Sequence, residues 1–307
     1  MVDYVIYGKI ILDDIRMRGG GEVRRALGGG GPQAVFGARV WSDAVGFLTR
    51  SGTDLELAQV DALGDLGADL NGWVQFADLP TPHNVMQYDD DEYLIGGGLI
   101  TSREDWFGLL DRPIPLPTAY EHAKAIHLVT EFPHEPMIET ARGLQERGAV
   151  FSLEPLAGSL ETHDFGPMLD LIRHVDIVVP DWPTASVFAG SDDPARVMAH
   201  WSALGPAAIA IRHGARGSYV WSREREEAWH VPAVPVEVVD PTGAGNAYGG
   251  GWCVGWTESR DARKAGCQGA VSASILVGHV GLPPLTAEVR RRARLLLTDA
   301  IASARQL

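Results

Sequence analysis

Short apolar runs rich in Val and Ile alternate along the chain with longer stretches of helical period. Residues 4–7, 44–48, 125–129, 150–153, 177–179, 208–211 and 218–221 predict strands, and 33–41, 135–147 and 184–189 predict helices. Strands that are apolar at nearly every position are buried on both faces. The strand–helix alternation therefore predicts an α/β fold with a mostly parallel central sheet covered on both sides. Two segments break this rhythm. Residues 9–25 and 81–98 are alternating or turn-rich, with no helix following, and predict a small β lid over the ligand edge of the sheet. From Asn246 to Leu307 strand signals are sparse and helices are expected. There is no internal repeat or interdomain linker, so residues 1–307 are expected to form one domain.

Composition narrows the function classes. With 26 Lys+Arg against 40 Asp+Glu, the formal charge of the 307 residues is −14. Such a surface repels nucleic acid and anionic membranes, so neither is expected as a partner. A small anion can still be bound by a local nest of backbone amides. The two cysteines, Cys253 and Cys267, are too few for a disulfide framework or a metal knuckle. The start of the chain has no basic stretch leading into an apolar one, and no run of 18 apolar residues occurs, so a cytoplasmic protein is expected.

The chemistry concentrates in 236–251, VEVVDPTGAGNAYGGG. A β-branched run ends at Asp240, Pro241 forces a turn, and Gly243-Ala244-Gly245 leads into a helix starting near Asn246. Without bulky side chains, successive N–H groups can converge on one anionic oxygen, and the helix adds its positive end. That geometry suits a transferring phosphoryl group; glycine content alone fits a ligand-free tight turn equally well.

The order of these residues resembles the C-terminal signature of the PfkB, or ribokinase-like, carbohydrate kinases, D-T-x-G-A-G-D-x-F-x-G-G. Further segments are similar in the same order: Gly8 with Asp13, the glycine-rich 28–39 (GGGGPQAVFGAR), the lid segment 81–90, and 213–218 (HGARGS). The resemblance implies a ribokinase-like three-layer α/β/α sandwich. It also implies transfer of phosphoryl from ATP, with Mg²⁺, to a hydroxyl of a sugar, polyol or nucleoside. Gly243, Ala244 and Gly245 would form the anion hole; Asp13, Gly29, Gly30 and Gln33 would contact the acceptor. Arg212, Gly214, Gly217 and Thr242 would border the nucleotide. A homodimer through the lid is a further implication.

The chain also departs from that pattern. Asn246 stands where the family has its base, and an amide takes no proton at neutral pH; a positioned base contributes about 10²–10⁴-fold in rate. Pro32 or Gln33 replaces a substrate-contacting Asn. Thr184 replaces the Glu of the magnesium-organising N-x-x-E motif, leaving Asp181 as a metal contact through water. Two readings follow. In one, the protein is a kinase with altered machinery, in which Asp240, a water or a more acidic nucleophile serves, and Asn246→Asp would be the faster enzyme. In the other, it is a catalytically impaired ligand-binding or regulatory protein of the same fold.

Other motifs compete. Gly29-x-Gly31-x-x-Ala34 satisfies a dinucleotide fingerprint, and Thr49-Arg50, at the end of the next strand, would require the phosphorylated cofactor of an NADP-dependent oxidoreductase. There is no G-x-x-x-x-G-K-[ST] and no H-E-x-x-H. His127 and His134 are expected to be ordinary core or surface histidines, Asp89-Asp90-Asp91-Glu92 a solvated hairpin tip, and Trp182, Trp252 and Trp256 packing residues.

Overall fold

The structure, a computed structural model, describes residues 1–16, 22–88, 94–130, 132–156 and 165–307. Asp89-Asp90-Asp91-Glu92 lies outside the described residues. Seven parallel strands carry the large sheet: β1 (Tyr4–Tyr7), β4 (Val45–Ser51), β5 (Asp69–Gln75), β8 (Ala125–Thr130), β9 (Val150–Pro155), β10 (Ile177–Val178) and β11 (Ala208–Arg212). Three antiparallel strands extend one edge: β12 (Ser218–Ser222), β13 (Glu227–Val231) and β14 (Arg305–Gln306). The order is β14-β13-β12-β11-β10-β9-β8-β1-β4-β5.

Alternation along each strand sends side chains to two cores. Tyr4 and Ile6 join Phe36, Phe47, Trp252 and Trp256 on one face, under α1 (Gly31–Arg39), α8 (Ala244–Ser259) and α9 (Ala262–Val277). Val5 and Tyr7 join Leu128, Phe151 and Trp201 on the other, under α4 (Met137–Glu146) and α7 (Pro194–Ala203). This two-sided burial is why the central strands are apolar at most positions. Among the described residues no helix is long and apolar enough to cross a membrane.

A second sheet of four strands, ordered β3-β2-β6-β7, is built by two excursions of the chain. The first supplies β2 (Ile11–Arg16) and β3 (Glu22–Gly28), the second β6 (His83–Tyr88) and β7 (Leu94–Leu99). Within each excursion the pairing is antiparallel, and β2 joins β6 in parallel, with Asp13 opposite Asn84. The strand before the glycine-rich 28–31 turn is thus β3 of the small sheet and no part of the parallel one. That overturns the dinucleotide-fingerprint reading, which needs a central parallel strand there. Arg50, its supposed phosphate reader, is buried in an ion pair with Glu135 at 2.7 Å and bonds the Tyr7 hydroxyl.

Neighbours of β1 are β4 on one side and β8 on the other, so the chain reverses its direction of travel across the sheet there. Ligand crevices of open α/β sheets form at the carboxyl ends of strands beside such a reversal. Gly8, Glu154 and Arg212 all stand at carboxyl ends of strands on this edge. Above it α1 and α8 approach closely enough to exclude side chains. A Cβ on Gly37 would lie 1.9 Å from the Ala247 carbonyl oxygen, and one on Gly250 would lie 2.0 Å from that of Ala34.

Gly250→Ala is therefore expected to cost about 1–3 kcal/mol by overpacking, despite alanine's better helix propensity. Gly64→Ala, in α2 (Leu57–Asp65) with nothing within 4 Å of the added carbon, should be neutral or stabilising. Thermal melts of the two variants check the contrast, and equal effects would contradict the close approach.

Candidate active site

Two helix N-termini lie next to each other at the reversal point, and neither is capped by a side chain. Helix α8 starts from Gly243 (φ 78°) and α1 from Gly30 (φ 78°). Left-handed conformations favour glycine at both positions. In α1 the Gly31 N–H donates to the Lys9 carbonyl at 3.2 Å and Pro32 has no N–H, and in α8 the Ala244 N–H donates to the Pro241 carbonyl at 3.2 Å. The Gly245 and Asn246 amides of the α8 turn are the ones that suit an anion. The two ends touch through Gly30, where a Cβ would stand 2.7 Å from Asn246 Nδ2. Gln33 lies across the α8 turn: a Cβ on Gly243 would meet its Cγ at 2.2 Å. The Gln33 Nε2 donates to the Leu27 carbonyl at 2.7 Å, while its buried Oε1 has no partner among the described residues.

On one side of Gly243-Ala244-Gly245 opens a cleft of about 620 Å³. Arg212, Gly214, Gly217, Asp181 and Asn246 line it, with Val234, Val236 and Ala273 as its apolar wall. The sequence-derived nucleotide residues Arg212, Gly214 and Gly217 thus share one cleft with the glycine turn. Thr242 is half-buried beside it, its Oγ1 without a partner among the described residues.

On the other side stands Asp13, 3% exposed, its carboxylate directly over Gly28; a Cβ on Gly28 would fall 1.5 Å from Oδ2. Asp13 Oδ1 has no partner among the described residues, and neither does Asn84 Oδ1 on the adjoining strand. Burial, with the neighbouring Asp14 charge, pushes the Asp13 carboxyl up to about 8. Asp13, Asn84 and Gln33 thus present unpartnered oxygens around the 28–30 turn, with Gly29 (φ 82°) at its centre.

Sequence reasoning missed the group that joins the two sides. Glu154, at the end of β9, is fully buried. Its Oε1 accepts from Arg212 Nη1 at 2.8 Å and from Asn246 Nδ2 at 2.9 Å. Its Oε2 lies 3.4 Å from Nε2 of His127, whose Nδ1 is 2.8 Å from Ser152 Oγ. Burial alone would raise the Glu154 carboxyl; the Arg212 charge and the His127 contact outweigh it and hold the group below the usual range. His127 is a core histidine as expected, but it belongs to this charged chain. The available signal was a lone carboxylate ending an apolar strand, which is costly unless paired.

Two predicted groups have other work. Asp240 Oδ1 accepts from the Thr242 N–H at 2.9 Å and Oδ2 from Gly281 at 3.4 Å, and Asp240 does not line the cleft. Both oxygens thus help shape the turn. Asp181 caps α6 (Trp182–Ala189) by accepting from Thr184 N–H at 2.9 Å, and Thr184 is buried. Among the described residues no group of three or more His, Cys, Asp and Glu is placed to hold a metal ion; Asp181 remains a single carboxylate on the cleft lining. Trp252 and Trp256 are core residues, and Trp182 stacks on His213 with centroids 4.0 Å apart.

An amide turn with a cation beside it, between a polar pocket and a cleft, defines a group-transfer site for anions. The profile of the pfkB family carbohydrate kinases matches residues 118–286, more than half of the sequence. The chain belongs to that family. A cytidine kinase of Thermococcus kodakarensis is 27% identical over 263 residues, covering 85% of this chain and 90% of that protein. Among solved structures, a ribokinase-II-type protein of E. coli in complex with ATP and Mg²⁺ superposes with a TM-score of 0.77 at 18% identity, over 97% of this chain and all of that one. The nucleoside kinase of Methanocaldococcus jannaschii gives 0.71 at 18%, over 97% and 99%. These likenesses show the ribokinase-like fold.

The Asp13 carboxyl supplies a pH test. A folded-state value near 8, against about 3.9 unfolded, means the folded chain holds an extra proton between those limits. Stability from this group is thus lost as pH rises from 4 to 8. Asp13→Asn should melt higher than wild type at pH 8, with the gap closing toward pH 4. A gap independent of pH would show that Asp13 is not desolvated.

Proposed function

We propose that the protein is an ATP-dependent kinase that phosphorylates a hydroxyl of a nucleoside, with free sugars and polyols as poorer acceptors. The carrying observation is the uncapped Gly243–Gly245 turn, which lies between the apolar-walled cleft and the buried, unpartnered oxygens of Asp13, Gln33 and Asn84. Unpartnered buried acceptors call for a ligand rich in donors, which hydroxyl groups supply. The nucleoside preference rests on the cytidine kinase and nucleoside kinase relatives.

In this reading the cleft takes the adenylate moiety, and the first-turn amides of α8 receive the oxygens of the transferring group. Asp13 and Gln33 fix the acceptor so that its hydroxyl oxygen faces the turn. The acceptor oxygen forms a bond to Pγ as the Pγ–O bond to ADP breaks. Asn246 orients the hydroxyl through its carbonyl oxygen and takes no proton. The proton leaves late, onto the transferred phosphoryl group, which a loose transition state permits. Magnesium accompanies the nucleotide phosphates, and no step here depends on a side chain holding it.

Incubation with Mg-ATP and a panel of cytidine, other nucleosides, ribose and hexoses, followed by ADP and product-mass measurement, tests this. ADP should appear mole for mole with a phosphorylated nucleoside. The amide at position 246 specifically favours the impaired-binder reading. That reading gains the ground if ATP raises the melting temperature while no acceptor releases ADP above the acceptor-free rate.

A further inference from the structure

The centre has a carboxylate, but at residue 154. A kinase whose sequence carries an amide at the base position would ordinarily be expected to gain from Asn246→Asp. Three observations about Glu154 reverse that expectation.

The first is orientation. An ionised carboxylate only accepts hydrogen bonds, so the Asn246 group 2.9 Å from Glu154 Oε1 has to be the amide NH₂. Asn246 Oδ1 is thereby left free to accept. An Asp at 246 has no such donor unless it is protonated.

The second is sharing. The same Oε1 holds Arg212 Nη1 at 2.8 Å. The guanidinium lies against the anion turn, because a Cβ on Gly245 would fall 2.0 Å from Nη1. Arg212 Nη2 is buried and without a partner among the described residues. One carboxylate oxygen thus anchors both a cation beside the α8 turn and the amide beside the acceptor pocket.

The third is accommodation. Gly249 on α8 makes room for the carboxylate, since a Cβ there would stand 2.6 Å from Glu154 Oε2 and 2.7 Å from His127 Nε2. His127 is ordered in turn by Ser152. The titratable and charged groups facing Glu154 are thus His127 from β8 and Arg212 from β11. From α8 comes the neutral Asn246, and the Tyr248 hydroxyl of that helix is engaged by Ser218 at 2.9 Å.

We propose that Glu154 is the positioning carboxylate of this site, aiming Arg212 at the transferring group and Asn246 Oδ1 at the acceptor hydroxyl. Residue 246 is an amide because a carboxylate already stands beside it. This rests on the kinase reading and deepens it. Two carboxylates about 3 Å apart cannot both ionise cheaply. In Asn246→Asp the new group would share a proton with Glu154, imitating the amide at low pH and expelling Glu154 or Arg212 as pH rises.

The test compares wild type, Asn246→Asp, Glu154→Gln and the double variant Glu154→Gln/Asn246→Asp, in ADP release and in melting temperature from pH 5.5 to 8.5. At pH 8 each single variant should be slower by about 10²-fold, in line with breaking a buried ion pair or crowding it. The double variant restores one carboxylate and one amide, and should recover at least about tenfold over either single one, as coupled neighbours do. The ratio of Asn246→Asp to wild type, in rate and in melting temperature, should fall as pH rises. A ratio that rises with pH, or an Asp variant faster than wild type at pH 8, would make residue 246 a proton acceptor and overturn the proposal. So would a double variant that is the product of the singles. If Glu154→Gln does not fold, the pH trend of Asn246→Asp decides alone. If wild type releases no ADP with any acceptor, the kinase reading fails. The melting-temperature trend still reports whether residues 154 and 246 share one charge.

Discussion

The backbone contact between α1 and α8 is the constraint on which the site depends. Gly37 and Gly250 let the two helices meet without intervening side chains, and the contact continues to their N-termini, where Gly30 meets Asn246. Left-handed glycines start both helices, and the α8 end carries the amides of Gly245 and Asn246. Two positive ends side by side repel in isolation. They are tolerable beside compensating negative charge, and Glu154 supplies one such charge beneath the α8 turn while an incoming anion supplies another.

Burial of Glu154 is the costly element of this arrangement. A carboxylate removed from water is stable only with a close cation and further hydrogen bonds. Arg212 and Asn246 provide these on Oε1, while His127 lies 3.4 Å from Oε2, which has no hydrogen-bond partner among the described residues. The orphan oxygens of Asp13, Gln33 and Asn84 are the complementary case, because nothing in the described protein satisfies them.

Much of the architecture was legible from the chain alone. Doubly buried strands announced the parallel sheet, and the broken rhythm of 9–25 and 81–98 announced a separate β element; residues 17–21 and 89–93 fall outside the described structure. The Gly243–Gly245 turn was legible because close backbone approach leaves a local signature of small residues. Glu154 left only the fainter signal of a carboxylate ending an apolar strand, and His127 left none. Each sits in a mostly apolar strand, and their partnership is created by the pairing of β8 with β9, which no local spacing encodes. The turn-shaping part of Asp240 was hidden for a related reason, since nothing local in the chain shows that the amides of Thr242 and Gly281 meet its oxygens. Asn84 was hidden likewise, since only the parallel register of β2 and β6 sets it beside Asp13.

The parallel seam between β2 and β6 also bears on mechanics. It welds two excursions that are distant in sequence into one plate, entered from the large sheet at residues 8–10 and 76–82 and left into helices at 29–30 and 100–102. Two of these run beside the reacting centre, through Gly8 against Gly31 and through Gly30 against Asn246. The small sheet and the Asn246 neighbourhood are therefore in direct backbone contact, so a substitution that shifts one strains the other.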